Sequence, residues 1–174
     1  MPKIPNSGKF RVEALGPAHE RADFSCGIPA LDFYLQKQAG QDLRKRVAAV
    51  YVMTGDGHAI AGFYSLSQFS IELDEIPEDI ARKLPRYPDV PATLIGRLAI
   101  SRDFRGLGLG EFLLMDALNR CLENSRPVAS AAVIVDAKNA DAAAFYSKYG
   151  FLRLPRVSDR LFLPMATIAR MFSE

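Results

Sequence analysis

The sequence predicts an α/β fold: one domain over residues 1–174, in which a mixed central sheet carries helices on both faces. Three observations lead there. Apolar runs of strand length alternate with stretches whose apolar residues recur every three to four positions. Residues 93–124 read as a buried strand, a turn holding three glycines, and a long amphipathic helix, and a further strand follows, which makes a parallel pair with a right-handed crossover. The 174 residues, 49% hydrophobic and 24% charged, are enough to bury a real core.

Taken in order, Phe10–Leu15 is a first strand, ended by Gly16-Pro17. Pro29 opens a helix at a position where its missing N–H costs nothing. Leu31, Tyr34, Leu35 and Ala39 form the helix's buried face, and Gly40 is expected to break or bend it before a basic end. Val47–Thr54 and Ala59–Leu66, the latter extending towards Leu73, are strands joined at Gly55-Asp56-Gly57 by a hairpin turn. Residues 74–92 hold a helical piece at Asp79–Leu84 and prolines at 77, 85, 88 and 91; such a connection is the expected lining of a substrate groove. Leu94-Ile95 and Leu98-Ala99-Ile100 make the buried strand ahead of the glycine turn. The helix after it repeats Leu114, Ala117, Leu118, Cys121 and Leu122 on one face. Val128–Ala137 is the next strand, and Asn139–Tyr149 a short helix capped by Gly150. Phe151–Leu154 and Leu161–Met165 close the sheet before a last helical turn at Thr167–Phe172.

Composition removes several function classes. No run of eighteen apolar residues exists to cross a membrane, and MPKIPNSGKF lacks the apolar core of a secretory signal. Cys26 and Cys121 have no zinc or disulfide spacing, so no metal is expected and a reduced, cytoplasmic setting is. Net charge is only +2, but the charges are segregated. Lys37, Arg44, Lys45 and Arg46 stand near the end of the first helix, Arg97, Arg102 and Arg105 surround the glycine turn, and Glu72, Asp74, Glu75, Glu78 and Asp79 form an acidic patch. Such segregation is compatible with an RNA footprint and also with ordinary solvated faces.

The turn Arg105-Gly106-Leu107-Gly108-Leu109-Gly110 carries the chemistry. Alternate glycines let successive amides converge at the positive end of a helix, which is an anion site, most often for phosphate. A P-loop would need Lys-Ser or Lys-Thr after the glycines, and the dinucleotide fingerprint fails at Glu111. The pattern Arg-x-x-Gly-x-Gly fits. It resembles the coenzyme A pyrophosphate loop of the GNAT family of N-acetyltransferases. A second motif, Ala144-Phe145-Tyr146-Ser147-Lys148-Tyr149-Gly150-Phe151, is similar to that family's closing signature. A narrower resemblance runs through Phe24-x-Cys26-Gly27-x-Pro29-x-Leu31-Asp32-x-Tyr34-Leu35, Gly62-Phe63-Tyr64-Ser65-Leu66, Leu84-Pro85-x-Tyr87-Pro88-x-Val90-Pro91 and Gly96-Arg97-Leu98-Ala99-Ile100. In that order these look like the GNAT toxins of type II toxin–antitoxin systems.

The resemblance implies the GNAT (acyl-CoA N-acyltransferase) fold, acetyl-CoA as cofactor, and acetylation of the α-amine of aminoacyl-tRNA, which blocks translation. It implies a small ribbon-helix-helix antitoxin as partner, and a homodimer. By residue, it assigns Arg105, Gly106, Leu107, Gly108 and Gly110 to the pyrophosphate, and Leu98, Ala99 and Ile100 to the pantetheine arm beside the strand Ala131–Asp136. Asn139 and Phe145 are also placed on the cofactor. Tyr146 is assigned as general acid, with Tyr149 as the rival. Lys37, Arg44, Lys45 and Arg97 are the candidates for tRNA contact.

Elementary chemistry constrains the amine independently. A lysine side chain, pKa near 10.4, needs a base to lose its proton at neutral pH, whereas an α-amine near 7.7–8.0 is already partly neutral. His19 and His58 both fall in loops or turns, and neither makes a convincing base, so an α-amine suits this chain; Glu72 or Asp136 acting through water is the alternative. Tyr146 alone would read as a core aromatic, Arg97 as a strand charge, and Cys121 as core rather than nucleophile. The competing functions are acetylation of a protein or small-molecule amine, and a non-enzymatic acyl-CoA-binding regulatory module.

Overall fold

The computed structural model describes residues 9–55, 57–157 and 159–173. Residues 1–8, read above for a signal segment, and Asp56 of the expected hairpin turn lie outside the described residues. The strands are β1 (Arg11–Ala14), β2 (Ala49–Thr54), β3 (Ile60–Glu72), β4 (Asp89–Ile100), β5 (Ala132–Asp136), β6 (Leu152–Arg153) and β7 (Arg160–Pro164). The α-helices are α1 (Pro29–Phe33), α2 (Ala39–Arg44), α3 (Glu78–Ala81), α4 (Leu109–Asn124), α5 (Ala140–Lys148) and α6 (Met165–Met171). The strands form a mixed seven-stranded sheet.

The described residues fall into two compact units, one of residues 9–67 and 95–117, the other of residues 68–94 and 118–173. In the first, the strands neighbour one another in the order β1-β2-β3-β4. β1 and β2 pair antiparallel with Val12 opposite Met53, and β2 pairs β3 with Val52 opposite Phe63. The β2–β3 register shifts between Met53 and Thr54, the mark of a bulge beside the turn. Phe24, Tyr34, Leu35, Val50, Val52 and Phe63 form the core of this unit. Tyr34, Leu35 and Ala39 are buried as their spacing predicts, and Leu31 packs against them half-buried. Pro29 takes the first position of α1, and its fixed φ suits that place.

The helix does not break at Gly40, which lies inside α2. The irregularity comes earlier, as a π-helical segment at Tyr34–Gln38 with five-residue hydrogen bonding. Periodicity does not report such a segment, because one extra residue per turn only rotates the apolar face.

In the second unit the order is β3-β4-β5-β7-β6. β7 pairs antiparallel with both β5 and β6, with Ile134 and Leu152 each opposite Phe162. Ile71, Ile76, Val90, Ile134, Leu154 and Phe162 build its core.

Three boundaries differ from the sequence reading. β4 begins at Asp89 rather than Leu94, although Pro91 lies within it; Pro91 is near the strand start, and its carbonyl accepts from the Ala131 amide at 2.8 Å. β5 begins at Ala132 rather than Val128, whose side chain is 57% exposed in the turn after α4. The helical piece expected at Asp79–Leu84 is α3, Glu78–Ala81.

Candidate active site

The glycine turn forms as its residues require. Gly106 and Gly108 adopt φ of +79° and +74°, a left-handed conformation that side chains resist. A Cβ added at Gly106 would meet nothing within 4 Å, so the peptide surface there is bare. Residues 105–108 are exposed while Leu109 is buried and anchors the start of α4. Gly110 lies in the first turn of α4, not in the turn that precedes it. The opening amides of a helix lack helical partners. Exposed alternate glycines running into such amides make a backbone cradle that fits a diphosphate.

The Arg105 side chain is tied to the turn that leads into α1. Its Nη2 donates to the Cys26 carbonyl, and the Arg102 amide donates to the Ser25 carbonyl at 2.8 Å. A Cβ on Gly27, whose φ is +91°, would meet Arg105 Nη2 at 3.1 Å and Arg102 Nε at 3.2 Å. The two arginines therefore fasten the approach to the glycine turn onto the turn that leads into α1. Asp32 fixes that turn from the other side by accepting from the Cys26 amide at 2.7 Å. The sequence marks Arg102 beside the glycine turn and Gly27 within the toxin-like motif, but no local pattern reveals that they pack together.

Within β4, Ala99 is buried while Leu98 and Ile100 are half-buried, so the strand is less enclosed than its apolar run suggests. Gly62 accommodates this strand closely: a Cβ there would lie 2.9 Å from the Ala99 carbonyl oxygen. The Arg97 guanidinium lies 3.5 Å from the centroid of the Tyr34 ring, a cation–π contact that offsets its partial burial. The Tyr34 hydroxyl in turn donates to Asp42 at 3.0 Å. Burial, with that bond to Asp42 and against the pull of Arg97, pushes the Tyr34 phenol up to about 12.

The second unit carries the other candidates. Asn139 caps α5, its side-chain oxygen accepting from the Ala142 amide at 2.8 Å. Gly150, with φ of +96°, ends the helix in the expected left-handed cap. Tyr146 is 9% exposed, and its ring meets Phe145 and Phe151 edge-on at 5.2 and 5.3 Å. Burial pushes its phenol up to about 12, so it keeps its proton throughout the neutral range. Tyr149 is the helix's half-buried C-terminal cap, edge-on to Phe145 at 5.2 Å with Lys148 Nζ over its ring. The two tyrosines therefore have different surroundings.

Of the possible bases, Asp136 is ion-paired to Arg160 at 2.9 Å and Glu72 is exposed. His19 is locked, with Nδ1 accepting from the Gly16 amide at 2.9 Å and Nε2 2.8 Å from Glu13. His58 is exposed. Burial pushes the Cys121 thiol up to about 12, which leaves it a poor nucleophile. A cavity of about 740 Å³ opens in the 72–89 region, lined among others by Glu72, Asp74, Glu78, Arg82 and Arg86. Lys37, Arg44 and Lys45 are all exposed on the π-helical segment, on α2 and just beyond it.

Residues 18–151 match the model of the acetyltransferase (GNAT) family. The chain belongs to the GNAT acetyltransferase family. It is 36% identical over 171 residues to a probable toxin TacT of Sinorhizobium fredii, covering 93% of this chain and 94% of the relative. It is 34% identical over 145 residues to a tRNA-acetylating toxin of Mycobacterium tuberculosis, covering 83% and 86% respectively. Among solved structures it is similar to AtaT complexed with acetyl-methionyl-tRNAfMet, at 27% identity and a TM-score of 0.88, covering 94% of this chain and 99% of that one. It is also similar to AtaTR bound with acetyl-CoA, at 26% identity and a TM-score of 0.83, covering 95% and 99%. Among the described residues, no helix is long and apolar enough to cross a membrane.

Proposed function

We propose that this protein is an acetyl-CoA-dependent N-acetyltransferase toxin that acetylates the α-amine of aminoacyl-tRNA and so blocks translation. The observation that carries this reading is the 0.88 TM-score, at 27% identity over nearly the whole chain, to a toxin solved with acetyl-methionyl-tRNA. The 34% identity to a tRNA-acetylating toxin supports it. Acetyl-CoA supplies an activated acetyl thioester when bound.

The chain's own residues divide the work. The backbone of Gly106, Leu107, Gly108 and Gly110 holds the cofactor's diphosphate, with Arg105 setting the turn through Cys26. Main-chain groups of Leu98, Ala99 and Ile100 align the pantetheine arm as an added strand. A backbone N–H near Leu98 polarises the thioester carbonyl. Asn139 sets the start of the helix that bears Phe145 and Tyr146, and Phe145 packs against the Tyr146 ring and flanks the cofactor. Tyr146 Oη holds the proton that the departing sulfur takes.

The amine needs no strong base. An α-amine at 7.7–8.0 is partly neutral at physiological pH, and the described candidates for a base are exposed, locked or ion-paired. Lys37, Arg44, Lys45 and Arg97 meet the tRNA. A cytoplasmic homodimer restrained by a ribbon-helix-helix antitoxin completes the proposal. Incubating charged tRNA with the protein and acetyl-CoA tests it: acetyl groups should appear on the aminoacyl end. Acetylation of a peptide or polyamine with charged tRNA untouched would replace this reading with that of an ordinary amine acetyltransferase.

A further inference from the structure

Gly40 sits inside α2, where glycine is a poor helix former and alanine the best. Its φ is ordinary, so no backbone constraint requires it. What surrounds it is unusual. A Cβ on Gly40 would meet Arg21 Nη1 at 3.2 Å, Arg44 Nη1 at 3.3 Å and Arg21 Nη2 at 3.8 Å. Two guanidinium groups from separate parts of the chain thus converge over a bare patch of helix, within roughly 6.5 Å of each other.

Like charges so close repel unless an anion lies between them. Among the described residues neither arginine forms an ion pair. Arg21 has only a long bond, 3.5 Å, to the Leu35 carbonyl. Asp42, the acidic residue of α2, is engaged by the Tyr34 hydroxyl at 3.0 Å. The π-helical segment Tyr34–Gln38 ends two residues before Gly40, and such insertions are frequent at functional sites. Exposed Lys37 and Lys45 stand on the same stretch, three residues before Gly40 and five residues after it.

We propose that Arg21 and Arg44 form a clamp across Gly40 for one backbone phosphodiester of the RNA substrate. This rests on the function proposed above and assigns Arg21 and Gly40 to substrate binding. Guanidinium nitrogens at this spacing can both reach oxygens of a single phosphate at about 2.7–2.9 Å. The missing Cβ lets both guanidinium groups close over the helix backbone, where an added methyl would push them apart.

The test uses the full chain with aminoacylated tRNA as probe, in anisotropy titrations across salt, alongside calorimetry with acetyl-CoA. Arg21→Gln alone should weaken RNA binding with little change in the salt slope, because Arg44 still neutralises the same phosphate. Arg21→Gln with Arg44→Gln should lower the magnitude of the slope by about 0.7–0.9, the contribution of one phosphate. Gly40→Ala should weaken RNA binding several-fold while its thermal midpoint stays level or rises. Affinity for acetyl-CoA should be unchanged in all three. An unchanged slope in the double variant, or a loss there of about twice that size, overturns the clamp. So does weakened acetyl-CoA binding with intact RNA binding, which would give the phosphate to the cofactor. Transfer by the unaltered protein to charged tRNA is scored separately: its absence sinks the proposed function, whereas its presence with an unchanged slope in the double variant sinks only the clamp.

Discussion

Replacing Tyr146 with phenylalanine isolates the proposed proton donor. The ring packs edge-on against Phe145 and Phe151 at 5.2 and 5.3 Å, and phenylalanine keeps both contacts. No hydrogen bond to the Tyr146 hydroxyl is found among the described residues. Stability should therefore change by less than about 1 kcal/mol, the scale of one net hydrogen bond. The effect on turnover follows from the proton. General acid catalysis contributes about 10²–10⁴-fold. Burial places the phenol at about 12, which widens its gap to an ordinary thiol of about 8.5 and weakens the driving force for donation. That argues for the lower end, a kcat loss of roughly 100-fold or about 2.7 kcal/mol of barrier.

The assay is initial-rate release of free thiol from acetyl-CoA with charged tRNA as acceptor, paired with calorimetric affinity for acetyl-CoA. Affinity should stay within about two-fold, since the hydroxyl is not asked to bind the ground state. Tyr149→Phe should keep kcat within a few-fold. A Tyr146→Phe enzyme turning over within three-fold of the unaltered one would make residue 146 a core aromatic and refute the assignment. Reversal of the two phenotypes would make Tyr149 the acid.

Other expectations follow from the same geometry. Gly106→Ala meets no neighbour, so its cost is the left-handed backbone alone, about 1–2 kcal/mol of stability by denaturant titration; weaker acetyl-CoA binding should accompany it, and unaltered affinity would argue against the cradle. Asn139→Ala removes the cap of α5 and should cost about 1 kcal/mol in chemical denaturation, whereas Asn139→Ser should restore most of it. Because burial raises Tyr146 from 10.0 to about 12, the unfolded chain releases a proton that the folded one keeps between those values. Stability should therefore be fully present below pH about 10 and fall as pH rises towards 12, by on the order of 2 kcal/mol for this residue; Tyr146→Phe should flatten that decline, and equal slopes would contradict the burial argument. With no strong base among the described residues, kcat/KM should rise with pH to a plateau near the α-amine's pKa of about 8; a profile governed by a group near 6.5 would instead point to histidine.

Much of the site was legible because its chemistry is local. The alternation at Gly106 and Gly108 needs only the absence of Cβ, and the cap at Gly150 and the start at Asn139 follow from single residues whose roles do not depend on distant partners. Of the α4 stripe, Leu114, Ala117, Leu118 and Cys121 are buried and Leu122 is half-buried, while Leu113 and Met115 are buried too and widen the face. Long-range or irregular features were not legible. Pro88 and Pro91 hid the first five residues of β4, because the rule that excludes proline from strands does not reach a strand's opening residues. The apolar Val128 misled in the other direction, since an exposed valine in a turn looks like a strand start. The motif places Arg105 at the cofactor loop, but nothing local reveals its bond to the Cys26 carbonyl, 79 residues away in sequence. The stacking of Arg97 on Tyr34 and the convergence of Arg21 and Arg44 over Gly40 likewise join residues with no shared local pattern.

Mass spectrometry of a mixed pool of charged tRNA, incubated with the protein and isotope-labelled acetyl-CoA, addresses the central assignment most directly. The label should appear as one acetyl group on the α-nitrogen of the esterified amino acid, and only where the tRNA is aminoacylated. Label on uncharged RNA, on lysine side chains of added protein, or nowhere while acetyl-CoA still binds would contradict it.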